Sequence, residues 1–278
     1  NKNINKIKNL KDVEFSVFSQ WGEDGIINWL TQKIPNLDKT FLEIGTQDYK
    51  ESNTRFLLIS QNWKGFILEG SSEHVRALKK QNVYWKYDLS AFNFFINKEN
   101  INTILKKIKI KNKIGLLSID IDGNDYWILK EINNLEPDII ICEYNAVFGN
   151  KDEITVQYKN NFDRTKFHYS NLAFGASLPA FINLLKKKNY YFIGTNSNGV
   201  NAFFLKKNKF KYIKKYIKEI KSFNSKSKES KDKFGNKTFI KEKNRIKKIS
   251  NVKVLNLKKN KVIKIKTLKS FKNNKWEN

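Results

Sequence analysis

The stretch from Gly115 to Asp125 constrains this chain more than any other. It begins as an apolar run and ends in two carboxylates, Asp120 and Asp122, one residue apart. Gly123 follows, and Tyr126 to Ile132 then carries apolar residues at helical spacing. The order reads as a buried strand, a tight turn and a helix. In open parallel sheets, ligands lie outside the carboxyl ends of the strands. Two acids there, followed by a Gly that allows close backbone approach, read as part of a site. The plainer reading is a capped helix, with Asp120 or Asp122 accepting the first helix N–H groups, although one Asp would suffice.

The same alternation runs through most of the chain. Thr40–Gly45 reads as the first central strand, followed by the polar loop Thr46–Glu51 and a helix through Arg55–Ile59 capped by Ser52 or Asn53. Gly65–Gly70 is a second strand with a helix after it from Ser72 to Lys80. Val83–Lys86 reads as a short third strand closed by Asp88, and Phe92–Lys109 as an amphipathic helix. Asp138–Tyr144 is a further strand, entered through Pro137. Asn145–Ser170 is aperiodic and long for a plain connection, and such loops are often functional. A helix over Gly175–Lys188 leads into a hairpin of Tyr190–Gly194 and Asn201–Leu205. Upstream, the polar loop Phe15–Gly25 precedes an apolar helical face at Ile26–Leu30, capped by Glu23 or Asp24. Repeated strand–helix alternation ending in a hairpin predicts a doubly wound α/β fold. Its sheet is mostly parallel and seven-stranded with a C-terminal antiparallel hairpin, the arrangement of class I methyltransferases that use S-adenosylmethionine (SAM). A dinucleotide-binding fold would want G-x-G-x-x-G after the first strand, where only Gly45 stands.

Charge divides the chain. Residues 206–278 hold 27 of the 54 Lys and Arg but 5 of the 27 Asp and Glu. The expected organisation is a basic lead-in over 1–14, a catalytic domain over 15–208 and a Lys-rich C-terminal extension over 209–278. Ser222–Lys237 within the extension reads as a polar linker and Val252–Ile265 as short strands. The single Cys, Cys142, lies in an apolar run, so no internal disulfide is possible and a core role is expected. No apolar run is long enough to span a membrane, and the opening residues lack a signal-peptide pattern. A cytoplasmic location is the expectation.

Acids or amides end most strands: Glu43, Glu69, Asp88, Asp120 with Asp122, and Glu143 with Asn145. A carboxylate at the end of a second strand suits the two ribose hydroxyls of an adenosine ligand. Asp88 would accept from the adenine amino group, and Glu43 with the Gly45 loop would hold the amino-acid end of SAM. At this point the chain resembles the FkbM family of SAM-dependent methyltransferases. The resemblance rests on Ser19–Asp24, Phe41–Gly45, Phe66–Gly70, Ile119–Gly123 and the Gly194–Phe204 ending, and covers roughly residues 15–205. The similarity is to a subgroup reading Asp-Ile-Asp-Gly-Asn-Asp-Tyr-Trp where much of the family reads Asp-Val-Glu-Gly. It implies O-methyl transfer, in many members to sugars or secondary-metabolite hydroxyls, and SAM contacts at Glu43, Gly45, Glu69 and Asp88. With Gln20, Asp48 and Asp120 these form the expected cofactor set.

Methyl transfer to oxygen needs an aligned hydroxyl and a route for its proton. Asp122 is the first choice to face the transferred methyl, with Asp120 supporting it. His168, in the long loop, titrates near neutrality and is a candidate base, against a packed or surface role. Alternatively, Asp120, Asp122, Glu143 and Asn145 offer the oxygen ligands that suit a divalent cation such as magnesium; the reading does not commit to a metal. Glu143, Asn145 and Tyr169 are the expected acceptor contacts. Aromatics at Tyr144, Phe148, Tyr158, Phe162, Phe167, Tyr169 and Phe174 suit sugar faces, or else a loop packing its own small core. The leading expectation is an O-methyltransferase acting on a glycan or other small hydroxylated acceptor. The alternatives are an RNA methyltransferase anchored by its basic tail and a non-catalytic glycan-binding or scaffold module. Binding of nucleic acid or anionic membrane through the tail is not favoured over compositional drift, and oligomeric state is left open.

Overall fold

Strand β4 (Lys113–Ile119) sits at the centre of a seven-stranded sheet in the computed structural model, which describes residues 6–273. The first five residues of the expected lead-in and the last five of the extension lie outside the described residues. The other strands of this sheet are β1 (Thr40–Ile44), β2 (Lys64–Glu69), β3 (Leu89–Asn93), β5 (Glu136–Glu143), β7 (Tyr190–Thr195) and β8 (Asn201–Lys206). A two-residue strand in the long loop, β6 (Ile154–Thr155), joins β9 (Lys253–Asn256) and β10 (Lys261–Lys264) in a separate three-stranded sheet. The helices are α1 (Glu23–Lys33), α2 (Arg55–Gln61), α3 (Ser72–Lys79), α4 (Asn82–Lys86), α5 (Ile101–Lys107) and α6 (Asp125–Glu131). They continue with α7 (Arg164–Phe167), α8 (Leu178–Lys187), α9 (Phe210–Lys214), α10 (Lys243–Lys248) and α11 (Lys269–Lys272).

The large sheet has the order β3-β2-β1-β4-β5-β8-β7. β3, β2, β1, β4 and β5 pair in parallel, and β8 runs against both β5 and β7. This is the class I methyltransferase arrangement. Its central strands β1 and β4 are buried almost end to end and mostly apolar, because both faces are covered. On β1, Phe41 packs on the side of α1, α2 and α3, while Leu42 and Ile44 pack on the side of α5, α6 and α8; Leu116 and Leu117 of β4 divide in the same way. Cys142 is a buried free thiol on β5.

Two local expectations fail. Residues 82–86 form α4 instead of a strand: Val83 is buried, Tyr84 half-buried and Trp85 exposed, a one-sided pattern that a single helical turn satisfies. The third strand is Leu89–Asn93, whose alternate residues Leu89 and Ala91 are the buried ones. It takes up the start of the helix expected from Phe92, leaving only Ile101–Lys107 helical.

The boundary expected at residue 208 does not separate two bodies. Ile246, Ile249, Val254, Ile265 and Leu268 of the extension bury against Val147, Phe148, Ile154, Val156 and Leu172 of the long loop. Both the loop and the extension carry apolar side chains that neither can bury alone. Ile265→Ala, at a fully buried position, should therefore lower unfolding stability by about 2–4 kcal/mol, measured by urea denaturation. Truncation after Asn208 should lower the unfolding midpoint, because it strips cover from the loop's apolar face.

Candidate active site

The carboxyl ends of β1, β2, β4 and β5 open into one cavity of about 650 Å³, a size typical of small-molecule sites. Gln20 and Trp21 reach it from the loop before α1. That loop is pinned by Asp24, which accepts the N–H groups of Val17, Phe18 and Ser19 at 2.7, 2.6 and 2.9 Å. Glu23 accepts from Trp21 N–H at 2.9 Å and from the amides of Asn196 and Asn201. Neither acid caps α1, as the sequence suggested; the cap is Gly22, and both acids tie down the loop.

Gly45 lies just past the end of β1, against the residue that follows the neighbouring parallel strand β4, with φ +81°. A Cβ there would sit 1.8 Å from the Asp120 carbonyl oxygen, so no other residue fits. Glu69 holds the following loop: one oxygen accepts from Thr46 and Gln47 N–H at 3.0 and 2.9 Å, and the other from Ser71 N–H at 2.8 Å. A carboxylate has about four acceptor positions, so Glu69 retains capacity toward the cavity it lines. His74 lines the cavity beside it, with Nδ1 3.6 Å from the Glu69 carboxylate.

Three expected cofactor contacts are placed elsewhere. Glu43 does not line the cavity; its carboxylate accepts from Ser52 Oγ at 2.7 Å, Asn53 N–H at 3.0 Å, Thr54 N–H at 3.1 Å and the Thr54 hydroxyl. It anchors the start of α2, and burial raises its pKa despite those donors. Asp48 turns outward to Lys50 at 2.9 Å, which holds its carboxyl below the ordinary range. Asp88 precedes β3 instead of ending a strand, and pairs at 3.4 Å with Lys64 at the start of β2, the opposite end of the sheet from the cavity.

The turn after β4 resolves the two readings of its acids. Asp125, not singled out by sequence, accepts the N–H groups of Ile121 and Gly123 at 2.8 and 2.9 Å. The tie-down is thus done by Asp125, and Asp120 and Asp122 are left facing the cavity. Asp122 occupies the left-handed region at φ +56° and pairs with Arg164 at 2.9 Å. Asp120, Asp122 and Glu143 bring carboxylate oxygens within 4.8 Å of one another, a set suited to a hard divalent cation. Burial, reinforced by the charges of Asp122 and Asp125, lifts Asp120 to about 8. Burial next to Asp120 likewise pushes Glu143 well above the carboxylate range.

The remaining expected residues divide. Asn145 lines the cavity, but its amide donates to the carbonyls of Leu172 and Phe174 at 2.9 and 3.0 Å and its oxygen accepts from Val147 N–H at 2.9 Å. It shapes the wall, with both its amide nitrogen and its oxygen already engaged by the backbone. His168 lies outside the cavity, 2.7 Å from Ser170 Oγ and stacked on Tyr169, and burial lowers its pKa. It is not placed to act as the base, nor Tyr169 as a platform for the acceptor. Of the loop aromatics, Tyr144, Phe162 and Phe174 line the cavity.

Sequence reasoning missed the far wall. Arg164 donates to Asp122, to the Asn171 carbonyl at 2.8 Å and to Glu229 at 3.4 Å, with its guanidinium 3.8 Å from the Phe174 ring centroid. Arg245 donates to the carbonyls of Ser225 and Ser227 at 2.7 and 3.0 Å, and all three residues line the cavity with Glu229. A signal existed. Arg occurs only at 55, 76, 164 and 245 in a chain saturated with Lys, and planar, multidentate recognition is what Arg does and Lys does not.

No family model and no curated protein matches the chain in sequence. Solved structures match it over most of its length. A SAM-dependent methyltransferase from Clostridium acetobutylicum has 13% identity, covering 68% of this chain and 92% of that one, with a TM-score of 0.43. The N-terminal domain of EvdMO1, solved with S-adenosylhomocysteine (SAH) bound, has 8% identity over 66% and 79% of the two chains, with a TM-score of 0.43. A putative RNA methyltransferase from Pyrococcus horikoshii has 10% identity over 73% and 92%, with a TM-score of 0.40. The FkbM assignment is therefore corrected: no family model supports it, and the structure carries the class I fold without that family membership.

Asp125 offers a direct test of the turn. Burial raises its carboxyl to about 6, against about 3.9 for an unfolded Asp. Its neutral form is favoured in the folded state, so its contribution to stability is full below about pH 3.9 and lost as pH rises through about 6. Asp125→Asn lacks this titration. Between about pH 7.5 and pH 4.5, the stability difference should move by about 1–3 kcal/mol in favour of the wild type, measured by urea denaturation at both pH values.

Proposed function

We propose that the protein is a SAM-dependent methyltransferase acting on a hydroxyl oxygen of a neutral, hydroxylated acceptor such as a glycan. The observation that carries this reading is the two-ended cavity. It spans the row of strand ends β2-β1-β4-β5, with Glu69 on one side, the buried Glu143 on the other, and Gly45 and the half-buried Asp120 side by side between them.

When bound, SAM supplies an electrophilic methyl group on a sulfonium. Glu69 has acceptor capacity for the ribose hydroxyls, and the missing side chain at Gly45 lets the ligand approach the backbone. Gln20 and Trp21 add to the lining from the loop before α1. The carboxylates beyond, when ionised, favour a cationic donor. Asp120 and Glu143 are placed to accept the acceptor's hydroxyl hydrogen bond and, when ionised, its proton. This moves the catalytic emphasis from Asp122, whose carboxylate is engaged by Arg164, to the deeper pair.

The lining favours a neutral acceptor over RNA. Among the described residues no Lys lines the cavity, and its two Arg side chains are engaged with Asp122, Glu229 and backbone carbonyls. A phosphate backbone calls for Lys and Arg directed at it.

Calorimetry on the full chain tests the reading. SAM and SAH should both bind, and Glu69→Gln should weaken them by about 1–3 kcal/mol. Glu143→Gln should leave SAM affinity nearly intact and lower methyl transfer to a responsive glycoside by roughly 10²-fold or more. Failure of the folded protein to bind either compound would sink the proposal.

A further inference from the structure

We infer that Asp120, Asp122 and Glu143 form a binding site for a divalent metal ion of the oxygen-preferring kind, magnesium or manganese, at the acceptor end of the cavity. The site itself does not depend on the methyltransferase reading; only its chemical use does.

Geometry comes first. One oxygen from each carboxylate lies within 4.8 Å of the others. Oxygens bound at 2.0–2.1 Å to one octahedral ion are separated by about 3–4 Å. The three side chains therefore need to close by at most about 1–2 Å, within the reach of side-chain torsional changes. The turn that carries two of them is already held by Asp125, so their backbone is in place before an ion arrives.

The second observation concerns unmet acceptors. Glu143 Oε2 and Asn124 Oδ1 are buried without a hydrogen-bond partner, on side chains that are 9% and 5% exposed and line this same cavity. Asn124 is not one of the acids, and its amide nitrogen is committed to the Lys159 carbonyl at 2.8 Å. Both unmet atoms are acceptors. A buried acceptor left unpaired costs about 1–3 kcal/mol, and a cation or the water it carries relieves that cost. Charge points the same way, since three carboxylates face one guanidinium, Arg164, which is shared with Glu229. The side-chain oxygens of Asn145 and Asp125 already accept from backbone N–H groups, so these two residues add no unmet acceptor.

Three protein oxygens leave about half of an octahedral shell open. On the methyltransferase reading, the acceptor hydroxyl enters there and is polarised by the ion, which favours its ionised form. The competing occupant is a proton shared between Asp120 and Glu143.

The test uses the full chain after chelator treatment, titrated with Mn²⁺ in the absence of SAM and followed by the loss of the free-ion electron paramagnetic resonance signal. The expected result is one saturable site per chain with a Kd on the order of 10⁻⁴ M or tighter, displaced by Mg²⁺. Asp120→Asn and Glu143→Gln should each weaken binding at least about tenfold, the effect of losing a ligand charge. Asp232→Asn, at a surface turn in the extension, should not. Pulsed resonance on the wild-type complex should show no imidazole nitrogen coupling, which keeps the site testable if a variant fails to fold. Absence of saturable binding up to about 10 mM, beyond the weak end of natural sites, would overturn the inference and leave the shared proton. Unchanged affinity in both folded variants, or nitrogen coupling, would overturn it as well. SAM calorimetry on the same samples separates this outcome from failure of the methyltransferase reading.

Discussion

Two backbone N–H groups, those of Ile121 and Gly123, donate into the carboxylate of Asp125, and the arrangement of the site follows from that exchange. A turn at the end of a buried strand must satisfy its N–H groups or lose stability. If Asp120 or Asp122 did this work, the acid would be consumed. Because Asp125 does it from the first turn of α6, both earlier acids stay available to the cavity. Gly45 completes the arrangement from the neighbouring strand, since any side chain there would collide with the Asp120 carbonyl. The left-handed conformation of Asp122 and the open φ of Gly123 belong to the same turn.

The second dependence runs between the long loop and the extension. Apolar residues of 147–173 and of 246–268 bury one another, and that contact brings the strap around Ser225–Glu229 over the cavity. The strap is laid down by backbone contacts as much as by side chains. Phe223 N–H donates to Thr195 Oγ1 and the Phe223 carbonyl accepts from Tyr144, both at 3.0 Å. Gly199 passes so close that a Cβ would lie 2.5 Å from the same carbonyl. Arg164 then links the strap to the β4 turn through Glu229 and Asp122. A segment whose composition suggests solvated charge is thereby a wall of the site.

Lysine abundance explains why that wall was hidden. In residues 206–278 nearly every polar position is Lys, Asn or Ser, and such a composition reads the same whether the backbone is free or docked. The few apolar residues at 246, 249, 254 and 265 are spaced too irregularly to declare a partner. Their partner lies about a hundred positions earlier, and no local pattern reports a contact of that separation.

Local pattern by itself determined the doubly wound sheet and the gathering of Gly45, Glu69, Asp120, Asp122 and Glu143 at the carboxyl ends of β1, β2, β4 and β5, where the structure places them around one cavity. Apolar periodicity sets element type, and parallel strands separated by helices leave their carboxyl ends on one edge. Tertiary structure alone decided what each acid does. Glu43, Glu69 and Asp125 look alike in sequence, yet Glu43 is consumed by the start of α2, Asp125 by the β4 turn, and Glu69 only in part by the loop after β1. A carboxylate's role depends on which donors fold reaches it with, and those donors come from segments that the sequence around the acid does not specify.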